Sequence, residues 1–316
     1  MAECIICKKE FENDRSLHAH LKAHSLRMAE YYQQYYPRKD KHDGKIIKFK
    51  NKKQYLSTDF NTKKNLKSWL DNAPPNGAKE YCIDLLTQRK EKKNLIYAPC
   101  QVELRSIMSP PIQYYNEMFS DYYDLCESLG FKNKHMNCKV LIKASEYKGS
   151  KYKIYIDTRE QKPLRFKRDV EIKKLDYGDY AFSDSLASCD CNIERKSLAD
   201  FIGTLSGGYE RFLREIERCG EVNGHMIVLV ESKFSNALHF NQLRKAGTQN
   251  RVYSKVKVTP DYIFHRVRSI CQKYPYVQFL FVEGRKQAGV TIEKIFTSGC
   301  VFEKFDLQLL YDLGKF

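Results

Sequence analysis

The chain reads as an α/β protein: a mixed sheet with flanking helices in the C-terminal half, preceded by a small ββα module and a mainly helical, basic segment. Three observations predict this. Short strand patterns first follow one another (153–157, 170–175, 180–182, 192–196) and then alternate with helical patterns, the signature of a mixed sheet covered by helices. Paired cysteines and histidines occupy the first 25 residues, and lysines crowd residues 39 to 67 between tyrosines and phenylalanines. The expected division is therefore 1–25, 26–149 and 150–316.

Composition narrows the function classes. At 316 residues and 42% hydrophobic content the chain can bury a sizeable core. Its 55 basic against 39 acidic residues leave a formal charge of +16, which favours a polyanionic partner, nucleic acid first, because each phosphate contact releases counterions. No run of eighteen apolar residues is present, so no membrane partner is expected. Glu3 and Cys4 stand where a secretory leader would be basic and then apolar. Eleven cysteines, an odd number, suit a reducing compartment, so the expected location is intracellular: cytoplasmic in a prokaryote or its virus, nuclear in a eukaryote.

In the first segment, two residues separate Cys4 from Cys7, twelve separate Cys7 from His20, and three separate His20 from His24, with Phe11 and Leu17 as core positions. This resembles a C2H2 zinc finger. Two thiolates and two imidazoles suit one tetrahedral Zn²⁺, and a module this small depends on its metal to fold. His18 is a competing ligand at a less usual spacing. By that resemblance the base-reading positions fall on Asn13, Ser16 and Ala19, although a lone finger could equally bind protein or brace its neighbour.

Between residues 26 and 149, Lys48, Lys50, Lys52, Lys53, Lys63 and Lys64 are candidate phosphate contacts, as is Arg211 further on. The interleaved Tyr31, Tyr32, Tyr35, Tyr36, Phe49, Tyr55 and Phe60 fit either base stacking or the packing of a small helical subdomain around Trp69 and Leu70. Residues 71–77, with Pro74 and Pro75, read as a loop, and 79–92 and 114–129 as helices. Cys126, His135 and Cys138 outline part of a second zinc site without a fourth ligand, so packing thiols are the simpler account.

The third segment carries the chemistry. After the strand patterns come helices at 197–205 and 209–219, a strand at 226–230, a helix at 261–273, a strand at 277–282, and helical pattern to the end. On an extended 192–196, Glu194 and Lys196 point to one face, roughly 6.6 Å apart along the strand, and Arg195 points away. Asp179 follows Gly178 out of a turn and can bring a second carboxylate to the same cleft, and two hard oxygen ligands suit Mg²⁺. Residues 183–190 read as an extended hairpin containing Cys189, with Cys191 at its end. Glu194, Lys196 and Asp200 alone would also fit an exposed ion-pair network; Asp157, Asp179 and the glycine turn tip the balance towards a site.

With those residues assembled, residues 152 to 300 resemble the nuclease domain of the XPF/Mus family of ERK-motif, structure-specific endonucleases, a branch of the restriction-endonuclease-like superfamily. The resemblance rests on Asp157-Thr158-Arg159-Glu160 after Ile156, on Leu175 through Tyr180, and on Glu194-Arg195-Lys196 with Asp200 after three intervening residues. Ser206 to Phe212 fits the helix that follows in compact versions familiar from phage and other mobile-element proteins. The resemblance implies that Asp179 and Glu194 bind Mg²⁺ (or Mn²⁺) directly with Asp157 at the same site, that Lys196 orients or deprotonates the attacking water, and that Asp200 supports the cluster. Arg159, Glu160 and Arg195 match motif positions without an assigned role. No tandem helix-hairpin-helix module follows the motif, a departure that leaves fork or flap preference open.

The expected function is a Mg²⁺-dependent DNA endonuclease, gripping DNA with the finger and the basic segment and cutting branched, repair or recombination DNA. Two alternatives stand beside it: a sequence-specific cutter of the homing or mobile-element kind, and a DNA-binding regulator with an inactive nuclease fold. With one active site per chain, cutting both strands requires a homodimer or two successive nicks.

Overall fold

The computed structural model describes residues 1–49, 59–136, 153–183, 191–297 and 304–315. By compactness the chain divides into Met1–Tyr81 with Met108–Pro110, and Cys82–Ile107 with Pro111–Phe316.

In the first unit a short antiparallel hairpin, β1 (Ala2–Glu3) and β2 (Glu10–Phe11), precedes α1 (Asp14–His20), and the chain continues in a 3-10 turn, Leu21–His24. Asn13 starts α1 because its side-chain oxygen accepts the Ser16 N–H at 3.0 Å, satisfying an otherwise orphaned donor. The core of this ββα module is Cys4, Leu17 and Leu21, and it is completed by Tyr31 from α2 (Met28–Tyr35), a helix beyond the 25 residues of the finger pattern. The Tyr31 hydroxyl accepts the Ile5 N–H at 2.9 Å. Next comes α3 (Lys63–Asn72), capped by Thr62, whose Trp69 packs against Phe60 and Tyr81. Tyr31, Phe49 and Phe60 are all buried, so packing claims them, and they are not open to bases.

The helix α4 (Pro75–Lys93) begins four residues earlier than its apolar period predicts. Proline lacks an N–H to lose in a first turn and has its φ preset, so Pro75 starts the helix where a loop was expected. A short α5 (Gln101–Arg105) follows. The single helix expected over 114–129 is two, α6 (Ile112–Phe119) and α7 (Tyr122–Ser128). Ser120 breaks it at φ 67°, and Asp121 restarts it by accepting the N–H groups of Tyr123 and Asp124.

The second unit is built on a six-stranded mixed sheet in the order β4-β3-β5-β6-β7-β8. Its strands are β3 (Lys153–Asp157), β4 (Val170–Lys173), β5 (Tyr180–Ser183), β6 (Cys191–Lys196), β7 (His225–Val230) and β8 (Val277–Phe281). Strands β6, β7 and β8 run parallel, β5 is antiparallel to both β3 and β6, and β4 is parallel to β3. The helices are α8 (Leu198–Thr204), α9 (Tyr209–Glu221), α10 (Phe234–Leu238), α11 (Pro260–Lys273), α12 (Gly284–Thr297) and α13 (Leu307–Asp312). Strand β4 stops short of residue 175 because the Leu175 N–H turns to Asp157 Oδ2, at 2.7 Å. The expected 183–190 hairpin, and Cys189 with it, falls on residues 184–190, outside the described ones. Cys191 is buried at the start of β6.

Apolar residues of β7 and β8 pack with Phe201, Phe212, Ile216, Phe264 and Val267 into one core, which Cys100 and Val102 join. Residues 82–107 and 111–136 thus belong with the sheet. A buried ion pair strengthens that attachment: Lys134 Nζ lies 3.3 Å from Glu103 Oε2 and donates to the Cys271 carbonyl at 2.9 Å. Of the partial second zinc set, Cys138 lies outside the described residues. Cys126 is a packing thiol that burial pushes up to about 12, and burial with the neighbouring Lys134 charge pushes His135 down to about 3. No helix among the described residues is long and apolar enough to cross a membrane.

Candidate active site

Three strand ends meet around Asp179. The Asp157 N–H donates to the Asp179 carbonyl at 2.9 Å, and the Asp179 N–H donates to the Ile193 carbonyl at 2.8 Å, so β3, the turn before β5 and β6 are stitched at one edge. The turn needs Gly178, whose φ is +74°; a Cβ there would lie 3.2 Å from both Asn192 Cβ and the Ile193 carbonyl oxygen. This close approach aims Asp179 at β6, where its Oδ2 accepts the Arg195 N–H at 2.7 Å.

Strand alternation does the rest. Glu194 and Lys196 lie together, with Lys196 Nζ 2.6 Å from Glu194 Oε1 and both residues buried. The Lys196 ammonium rests over the Phe212 ring of α9 at 5.3 Å from its centroid. Arg195 goes to other partners, Glu160 Oε2 at 2.8 Å and Glu231 Oε1 at 3.0 Å. Burial first, then the charge of Glu194, pushes Asp179 up to about 7, against the Arg195 N–H that favours its ionised form. Burial also raises Glu194, with Lys196 opposing and the charge of Glu215 adding to the rise. The like-charge part of these shifts, Glu194 on Asp179 and Glu215 on Glu194, is the part that a cation placed among them would relieve.

The remaining motif residues take other parts. Asp157 is buried, yet its carboxyl is held below the ordinary range, because hydrogen bonds from Arg159 and from the Leu175 N–H outweigh desolvation. Arg159 approaches Asp157 Oδ1 through Nε at 2.7 Å and Oδ2 through NH2 at 3.1 Å. Both Asp157 oxygens are thus engaged by Arg159, at the position expected to share the metal site with Asp179 and Glu194. Asp200 sits on α8 as expected, but its carboxylate accepts the Ser197 hydroxyl at 2.6 Å while its own N–H donates back to Ser197 Oγ at 3.1 Å. That reciprocal pair caps the helix.

Two residues around this cluster carry no motif signal, Glu231 and Glu215, while Phe212 falls in the Ser206–Phe212 stretch but was not singled out as a site residue. Half-buried Glu215 borders the apolar stripe of α9 formed by Phe212, Ile216 and Cys219, and its Oε1 accepts the Gly178 N–H at 3.3 Å. An acidic residue beside a buried stripe is the one sequence cue that could have picked it out.

In the first unit, Cys4, Cys7, His20 and His24 form a group able to hold a metal ion. Cys7 Sγ lies 3.1 Å from His20 Nε2, Cys4 Sγ lies 3.5 Å from His24 Nε2, and the two Nε2 atoms are 3.1 Å apart. Zinc–ligand bonds of about 2.0–2.3 Å in a tetrahedron call for separations of this order. His18 is turned to the Tyr32 hydroxyl at 3.2 Å, away from that group. Asn13, Ser16 and Ala19 are exposed, although the Asn13 oxygen is engaged in capping. Lys48, Lys63, Lys64 and Arg211 are exposed, while Lys50, Lys52 and Lys53 lie outside the described residues.

Residues 156–295 match the family model described as the ERCC4 domain. The match covers the sheet-bearing stretch from Ile156 to Ile295. Among solved structures, the chain is similar to XPF from Aeropyrum pernix in complex with DNA, at 20% identity over 45% of this chain and 61% of that one, with a TM-score of 0.33. It is also similar to XPF from Aeropyrum pernix in a second structure, at 19% identity over 44% and 62%, with a TM-score of 0.31. The chain thus spans about three fifths of those chains. No curated protein matches it.

Proposed function

We propose that this protein is a divalent-metal-dependent DNA endonuclease acting on branched, repair or recombination DNA. The observation that carries the reading is the convergence of half-buried Asp179 and buried Glu194, both raised, beside Lys196 within the ERCC4-matched stretch. Their hard oxygens and mutual repulsion fit Mg²⁺ or Mn²⁺. Such an ion polarises the scissile phosphodiester and lowers the pKa of the attacking water. Asp179 and Glu194 would hold it. Lys196 fixes one Glu194 oxygen and has further protons with which to orient the nucleophile. Arg195 aims Asp179 through its backbone N–H, while its guanidinium, clamped between Glu160 and Glu231, holds the strand end in place. Asp157 acts through Arg159, whose side chain is 63% exposed and able to meet a phosphate.

We read the Cys4, Cys7, His20 and His24 group as a structural Zn²⁺ site, and Ser16, Asn13 and the exposed lysines as added DNA contacts. An intracellular location and either a homodimer or two successive nicks belong to the same reading. The experiment is cleavage of matched linear duplex, branched and single-stranded DNA in Mg²⁺. Preferential cutting of branched DNA is the expected result. Cutting at one duplex sequence would favour a homing-type enzyme, and tight binding without cutting of any substrate would favour an inactive regulator.

A further inference from the structure

We propose that Glu215 is a positioning residue of the metal site, supplying the third negative charge that sets its affinity for a divalent cation; this rests on the reading of Asp179 and Glu194 as ligands. Helix periodicity places the residue. Phe212 lies under Lys196, and Glu215, one turn further along α9, falls on the same side of the helix, towards the Gly178 turn. Its Oε1 takes the N–H of Gly178, the residue just before Asp179, so it touches the turn that aims a ligand. Its charge is felt by Glu194 on one side and by the Arg159 guanidinium on the other, and Arg159 is also drawn to Asp157 and Asp179. A cationic side chain already lies among these carboxylates, and Glu215 contributes to the field that draws it. Partners just outside a metal's own ligands commonly alter affinity by about 10–100-fold.

The test is direct Mn²⁺ titration, followed by electron paramagnetic resonance of the free ion, on wild type, Glu215→Gln, Glu215→Asp and Glu194→Gln. Gln keeps an acceptor for the Gly178 N–H, so Glu215→Gln is expected to keep the wild-type melting temperature and bind Mn²⁺ about tenfold more weakly. Its cleavage rate at saturating Mn²⁺ should stay within about threefold of wild type, a split between metal affinity and turnover that a purely structural role would not produce. Glu215→Asp, which keeps the charge, should lie between the two. Wild-type affinity in Glu215→Gln together with weakened binding in Glu194→Gln would overturn the proposal alone. Unchanged affinity in Glu194→Gln as well would overturn the site reading beneath it. Should Glu215→Gln fail to fold, Glu215→Asp with an affinity as low as Glu194→Gln would count against a role for charge.

Discussion

At the residue scale, Gly178 and the pair Glu194 and Lys196 illustrate two kinds of legibility. Alternation along a strand is a property of the backbone, so the shared side of Glu194 and Lys196 could be read from spacing alone, and the 2.6 Å contact follows. The Gly178 turn was legible as a turn, but not the 3.2 Å approach to β6 that makes its glycine indispensable. Gly178→Ala combines a left-handed φ with that clash and should cost about 1–3 kcal/mol, read as a lower urea midpoint, together with loss of cleavage from a misaimed Asp179. Asp157 and Asp200 show the limit of motif reading. A carboxylate's position in a motif does not say which donor reaches it first, and here Arg159 and Ser197 do.

At the scale of elements, the strands of the sheet were legible to within a residue or two because apolar alternation and turn residues are local signals. The helices between residues 75 and 128 were less so. Their boundaries depend on a proline placed at a helix start and on a left-handed Ser120 followed by a capping Asp121, and neither alters the apolar period. Least legible was the attachment of residues 82–107 and 111–136 to the sheet, which rests on single side chains such as Lys134. Its ammonium and the Glu103 carboxylate are each about 2% exposed, so Lys134→Met would leave a buried carboxylate without its cation. A loss of about 3–5 kcal/mol in chemical denaturation is expected.

At the scale of the whole molecule, pH should act through His135. Its folded pKa of about 3 lies below the ordinary value near 6.5, because burial and the Lys134 charge disfavour its protonated form. The unfolded chain therefore takes up this proton first on acidification. Stability from His135 is complete above about pH 6.5 and drains away as pH falls towards 3, by up to about 1.4 kcal/mol per pH unit. His135→Phe should flatten the stability profile between pH 6 and 4, and an unchanged slope would show that the ring protonates in place. On the proposed function, the charge of +16 and the carboxylates of Asp179 and Glu194 divide the labour: basic surface for holding the polyanion, carboxylates for cutting it. The most direct test of that division compares DNA binding and cleavage by wild type and Glu194→Gln on the best substrate in Mg²⁺. The account predicts binding within about threefold of wild type and cleavage slower by at least about 10²–10³, the scale on which loss of one preorganised group acts. Cleavage by Glu194→Gln at the wild-type rate would contradict it.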